Sequence, residues 1–248
     1  MTTTEAVLFD LDNTLILFRE SDFYREYTSR LYLRFADLLS AEAFGERMMA
    51  STRRMVRNDG SASNLDVFLD AFSDGLDLDP YLIWQRFDAF YTQEFEQFRH
   101  LMDPLPGARE VVTELQEREH RLVIATNPMF PMIVQESRLR WAGLEDVRFE
   151  LITSVENSRF CKPHLGYFTE ICEALRLDPS VCLMVGNDPF NDMIASRTGM
   201  RTYLTTDAHE ASIEVSQQLN EGAPQEEPVP DGTGPLADLV AFVDEAGR

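Results

Sequence analysis

The sequence predicts an α/β protein, a doubly wound parallel sheet interrupted by an all-helical insertion. Three observations carry this reading. Short apolar runs, several of them continuous, recur at 6–9 (AVLF), 121–126 (RLVIAT), 149–153 (FELIT), 181–185 (VCLMV) and 201–205 (RTYLT). Strands covered on both faces have this texture. Helical stretches separate the later runs, giving the strand–helix–strand order of right-handed parallel crossovers. Between 17 and about 99 helix signals follow one another, and no strand candidate interrupts them.

The elements follow in order. After the first run, Ser21 is placed to cap a helix reaching Leu39, and Ser40 a second reaching Arg57. Asn64 opens a third, and Asp79 with Pro80 at the first helical position opens a fourth. Leu82, Phe87, Phe90, Tyr91, Phe95 and Phe98 give this insertion the content of a packed bundle. Residues 107–119 set Val111, Val112, Leu115 and the stem of Arg118 at helical spacing, and 164–176 do so with Phe168, Ile171, Cys172 and Leu175. The segment 220–235, rich in Glu, Pro and Gly, reads as a linker. Leu236, Leu239, Val240 and Val243 then form the stripe of a terminal helix docked on the core. The expected division is a core made of 1–16 and 100–248, with 17–99 as the helical insertion.

Composition narrows the class. The 248 residues carry 43 acids against 22 lysines and arginines, a net charge of −21. Such a surface repels phosphate backbones and anionic lipid, which argues against nucleic-acid and membrane partners. With 44% apolar residues the chain can bury a substantial core. The first apolar run, 7–18, is broken by Asp10 and Asp12 and has no basic flank, so it is neither a signal peptide nor a membrane span. Cys161, Cys172 and Cys182 lack CxxC spacing and are odd in number, as expected of buried free thiols. The expected compartment is the cytoplasm. Nothing in the sequence sets an oligomeric state.

Four short stretches carry the chemistry: FDLDNTL at 9–15, ATN at 125–127, CKP at 161–163 and VGNDPFND at 185–192. Asp10 and Asp12 stand at the C-terminal end of the first strand, where open parallel sheets bind ligands. Two carboxylates so close repel, and a divalent cation is their natural neutraliser. One can attack while the other handles a proton. Thr126 and Asn127 end the second core strand, where a hydroxyl and backbone N–H groups can cradle phosphate oxygens. Lys162 can neutralise a carboxylate and a phosphoryl group. Asp188 and Asp192, four apart, face one side if a helix starts between them, and Asp188 offers oxygens suited to Mg²⁺. In the insertion, Arg53, Arg54 and Arg57 precede the loop NDGSAS, and Phe18-Arg19 lies at the hinge. One of these arginines is a candidate to reach an anionic leaving group. The four histidines are scattered and receive no role.

Together the four stretches resemble the motifs of the haloacid dehalogenase (HAD) superfamily, over the chain from about residue 6 to 205. The resemblance implies a Rossmann-like core with a C1-type helical cap, and a Mg²⁺-dependent phosphatase acting on a small phosphorylated metabolite. It implies that Asp10 attacks phosphorus and that Asp12 serves as acid and then base. Lys162 would offset phosphoryl charge, with Thr126 and Asn127 binding substrate. Asp10, the main-chain carbonyl of Asp12 and Asp188 would hold the metal, supported by Asp192. Asn187 departs from the pattern, standing after Gly186 where many members have the aspartate, so direct metal contact by Asp188 or by Asn187 stays open. A sugar phosphomutase, a metal-independent haloacid dehalogenase and a non-catalytic binding protein are the alternatives on this fold. Asp12, Asp188 and Asp192 speak against the dehalogenase, and the intact Asp10 and Lys162 against the binding protein.

Overall fold

A computed structural model describes residues 3–208 and 228–246. The chain begins with β1 (Ala6–Phe9) and a short β2 (Ile16–Phe18), then passes through α1 (Glu20–Tyr32), α2 (Ala41–Val56), α3 (Asn64–Ser73) and α4 (Pro80–Glu94). A 3-10 helix, Phe95–Leu101, leads into β3 (Met102–Pro104), which pairs antiparallel with β2. There follow α5 (Ala108–Glu117), β4 (Arg121–Ile124), α6 (Met132–Trp141), β5 (Leu151–Ile152), α7 (Leu165–Leu175), β6 (Cys182–Gly186), a 3-10 helix at Met193–Thr198 and β7 (Arg201–Thr205). Finally come β8 (Gly232–Gly234) and α8 (Leu239–Ala246).

The six-stranded sheet runs β5-β4-β1-β6-β7-β8, with every neighbour parallel. This is the doubly wound α/β architecture that the apolar runs predict. Both faces of β1 are covered. Val7 and Phe9 enter one hydrophobic cluster with Val111 and Val112 of α5 and Leu239 of α8, while Ala6 and Leu8 enter another with Phe168 and Ile171 of α7. The first cluster runs on into the helical insertion, through Phe23, Phe44 and Phe87. Phe95 stacks on Trp141 with ring centroids 5.4 Å apart, and Phe23 meets Phe130 edge-on at 5.9 Å.

Helix starts follow the caps where the caps are free to act. Ser40 Oγ accepts from Ala43 N at 3.2 Å and Asp79 Oδ1 from Tyr81 N at 2.8 Å, as predicted. The first helix differs. It starts at Glu20 after Arg19 with no side-chain cap, because Arg19 N is fixed to Leu101 O (3.1 Å) beside the β2–β3 ribbon. It ends at Tyr32, and the predicted continuation to Leu39 is a series of turns. The third is capped by Ser63, one residue before Asn64, whose own side chain is spent on the core.

Two further expectations change. The predicted strand at 149–153 contracts to Leu151–Ile152. Within the predicted linker, residues 220–227 lie outside the described residues, but Gly232–Gly234 forms the sixth strand, against β7. A Cβ on Gly232 would stand 2.5 Å from Phe242 and 2.8 Å from Tyr203, so glycine lets this strand approach closely. The terminal helix docks as expected, with Leu236, Leu239, Val240 and Val243 buried. All three cysteines are free and buried. Among the described residues no helix is long and apolar enough to cross a membrane.

Candidate active site

Register brings the motifs to one edge. Phe9 pairs with Ile124 on one side and Val185 on the other, so Asp10, Thr126 and Asn187 leave their strands close together. The turn after β1 is closed by Asn13, in the left-handed region at φ 58°, whose Oδ1 accepts from Phe18 N at 2.9 Å. Asparagine tolerates that conformation better than most residues. Thr14 Oγ1 lies 3.3 Å from Asp10 Oδ2 and 3.2 Å from Asn187 Oδ1, linking β1 to β6.

Lys162 is the centre of the arrangement. It is only 2% exposed, and its Nζ donates to Asp10 Oδ1 at 2.9 Å and to Asp192 Oδ1 at 2.6 Å. Burial pulls the ammonium toward losing its proton, but Asp10 and Asp192 outweigh it and hold its pKa above the ordinary value. Asp192 is pushed up to about 7. Burial leads that rise, Lys162 opposes it, and Asp10 and Asp188 add to it. Gly186 makes room for this acid, since a Cβ there would fall 2.0 Å from Asp192 Oδ2. Asn127 Oδ1 accepts from Lys162 N at 3.3 Å, at the start of the cis Lys162–Pro163 bond. The carbonyl of Thr126 accepts from Tyr167 OH (2.8 Å) and Thr153 Oγ1 (2.7 Å), which pins the chain just after β4.

Asp12 has a partner that no motif announces. Arg138 on α6, 1% exposed, donates from Nη2 to Asp12 Oδ1. Its guanidinium lies 5.3 Å from the ring centre of Phe18 and 5.4 Å from that of Phe130, an aromatic sandwich that replaces water around a buried cation. Burial raises the pKa of Asp12, and Asp10 adds to the rise, while Arg138 and Lys162 pull the other way. Glu20, at the start of α1, joins the same cavity and is pushed up to about 7 by burial, with Asp12 and Asp188 adding and Arg138 opposing.

Asp188 and Asp192 occupy unequal places. No helix starts between them; the 3-10 helix begins after Asp192. Asp188 Oδ1 accepts from Phe190 N and Asn191 N, both at 2.8 Å, and its Oδ2 accepts from Asn191 Nδ2 at 2.8 Å, so this carboxylate closes its own loop. Proline at 189 and this turn delay the helical geometry that the spacing predicts.

The predicted residues Asp10, Asp12, Thr126, Asn127, Lys162, Asp188 and Asp192 thus line one cavity of about 70 Å³, together with Glu20, Arg138 and Asn187. The arginines proposed for substrate do not join them. Arg53, Arg54 and Arg57 are exposed and line neither this cavity nor the larger one beside it. Arg19 pairs instead with Asp103 at 3.1 Å. Sequence reasoning missed Arg138, in the second half of α6, and Glu20, which opens α1 two residues after β2.

The donor set fits a hard divalent cation. Carboxylates from Asp10, Asp12, Glu20, Asp188 and Asp192 line the cavity with two bases, Arg138 and Lys162, and neighbouring carboxylates add to the upward shifts that burial imposes on Asp12, Glu20 and Asp192. Buried Asn187 Nδ2 finds no hydrogen-bond partner among the described residues. Among the described residues, however, no three His, Cys, Asp or Glu side chains already converge as ligands, because Lys162 and the Asp188 loop engage them.

The family model for haloacid dehalogenase-like hydrolases matches residues 4–198. A ribulose-1,5-bisphosphate 5-phosphatase of Halopiger xanaduensis is 29% identical over 246 residues, covering 95% of this chain and 99% of that protein. The crystal structure of a HAD phosphatase from Thermococcus onnurineus aligns with a TM-score of 0.59 at 20% identity, over 97% of this chain and 98% of that one. An L-2-haloacid dehalogenase from Xanthobacter autotrophicus aligns with a TM-score of 0.54, also at 20% identity, over 98% and 99%. One fold therefore carries both reactions, and the site has to choose between them.

Proposed function

The chain belongs to the haloacid dehalogenase-like hydrolases, and from that premise we propose that it is a Mg²⁺-dependent phosphatase. In this reading it hydrolyses a small phosphorylated metabolite through an aspartyl-phosphate on Asp10. One observation carries the reading: a second carboxylate, Asp12, shares the cavity of the Lys162-paired Asp10 and is held there by the buried Arg138. Displacing a halide needs a nucleophile alone, whereas expelling an alkoxide from phosphorus needs a proton donor as well. The phosphatase named above, similar over nearly the whole chain, supports the same choice.

The contacts support the following steps. The phosphoryl group lies against Thr126, Asn127 and Lys162, which balance its charge. Asp10 attacks phosphorus, the bond to the leaving oxygen breaks, and that oxygen takes the proton of Asp12. Burial keeps this acid inclined to hold a proton, and Arg138 fixes its orientation. Asp12, now ionised, takes a proton from water, and the water oxygen attacks phosphorus and frees Asp10. The Asp10 carboxylate, the Asp12 carbonyl and Asp188 would hold Mg²⁺, with Asp192 supporting. A cation bound there supplies neutralisation of the phosphoryl oxygens. The helical insertion acts as a C1-type cap over this chemistry.

A second reading rests on the buried Asp10–Lys162 pair at 2.9 Å, a nucleophile and cation that dehalogenation could use without a metal. Phosphate release from a generic aryl phosphate, with Mg²⁺ and with chelator, in wild type and Asp10→Asn, separates the two. The phosphatase reading requires release that depends on both metal and Asp10. Halide release from a 2-haloacid in chelator, without phosphate release from the ester, would favour the second.

A further inference from the structure

The polar cavity shares Tyr24, Met129 and Phe130 with a larger one of about 230 Å³, enclosed by the helical insertion and the loop before α6. Its character is opposite to that of its neighbour. Among the described residues no charged side chain lines it, and its walls include Met48, Met55, Phe68 and Trp84. Two of its hydroxyls, those of Tyr27 and Tyr91, are 2.6 Å apart and share one hydrogen bond. A second phosphate entering it would lose water and meet no cation among the lining residues, and a polyol would find only the scattered hydroxyls of Tyr24, Thr28 and Thr52 to replace its water. An apolar group would lose nothing.

We propose that this cavity receives the alcohol portion of the substrate, and that the substrate class is the phosphomonoester of an apolar aromatic or aliphatic alcohol. The assignment rests on the phosphatase reading above and refines it. The shared walls supply the geometry: Tyr24, Met129 and Phe130 border both cavities, so the apolar one lies directly beside the place of a phosphoryl group at Asp10 and Lys162. Size agrees. A cavity of roughly 150 Å³ accepts benzene, so this one has room for a ring and a short chain.

Gly45 offers the test. It lies on the α2 stripe that lines the cavity with Met48, Met49 and Thr52, and a Cβ there meets nothing within 4 Å. Gly45→Leu therefore fills the cavity, and Gly45→Ala is the control for the helix. With Mg²⁺ present, kcat/KM is measured for ethyl, butyl, phenylmethyl and phenylpropyl phosphates and for glycerol phosphate. The expected result is a rise of about fourfold per added methylene until the cavity is full, with glycerol phosphate at the bottom of the series. Gly45→Leu collapses the phenylpropyl-to-ethyl ratio, and Gly45→Ala retains it. A flat or falling series, or a ratio indifferent to Gly45→Leu, overturns the assignment. If no ester is hydrolysed, the phosphatase reading fails by itself, and calorimetric titration with phosphonates decides the cavity. Tighter binding of phenylpropyl than of ethyl phosphonate, lost in Gly45→Leu, supports it; equal binding overturns it.

Discussion

Lys162 is the only lysine in the sequence, every other base being arginine. A flexible ammonium suits a buried point between two carboxylates that a planar guanidinium would not fit. That solitary lysine was a legible signal, as were the acids at strand ends, because a motif at the end of an apolar run fixes its own position. Arg138 was not legible. On α6 Gln135, Ser137 and Arg138 are buried alongside Val134, Leu139 and Trp141, so no polar face sets it apart. On the phosphatase reading Arg138 is a positioning residue for Asp12, and Arg138→Met should lower kcat by roughly 100-fold. Losing a cation that pulls the pKa of Asp12 down should also move the alkaline limb of the kcat profile to higher pH, with partial rescue by Arg138→Lys; an unmoved profile would limit Arg138 to packing. Glu20 gives a second test. Its carboxyl titrates near 4.5 when unperturbed but near 7 in the folded site. Below pH 4.5 both states hold the proton. Between 4.5 and 7 the unfolded chain releases it while the folded one keeps it, so this group lowers stability as pH rises. Glu20→Gln should therefore raise the melting temperature above pH 7 in metal-free protein and leave it unchanged below pH 4.5.

At the scale of elements, helices whose caps act locally were legible and those held by distant contacts were not. Ser40 and Asp79 cap their own helices. The start of α1 instead depends on Leu101, far along the chain, and β8 is built from Gly-Thr-Gly, which carries no strand signature. Asn64 shows what such contacts do. Fully buried, it donates from Nδ2 to Phe160 O (3.2 Å) and accepts from Asn58 Nδ2 (3.0 Å), while its backbone N reaches Ser158 O (2.9 Å). These bonds tie the start of α3 to the loop that precedes Lys162. Asn64→Ala should cost about 1–3 kcal/mol by leaving buried partners unsatisfied, read from denaturant unfolding. A loss below about 0.5 kcal/mol would show that water replaces the amide.

Over the whole molecule the apolar cluster binding sheet to insertion works against a net charge of −21. Self-repulsion of that size weakens the compact state, and salt shortens its range from about 10 Å at 0.1 M to about 3 Å at 1 M. The melting temperature should rise between those concentrations of KCl; a flat response would mean that the local ion pairs, such as Arg109–Asp146 at 2.7 Å, already balance the surface. The same excess of acid reaches inward, where two buried bases face the carboxylates of the site. The central claim is that Asp10 accepts the phosphoryl group there. Its most direct test is intact-mass analysis of acid-quenched Asp12→Asn protein after mixing with Mg²⁺ and an activated aryl phosphate, followed by peptide mapping. The account predicts one phosphoryl group on the peptide containing Asp10, absent in the Asp10→Asn, Asp12→Asn double variant. A phosphoryl group on another residue, or phosphate release with no adduct at any quench time, would contradict it.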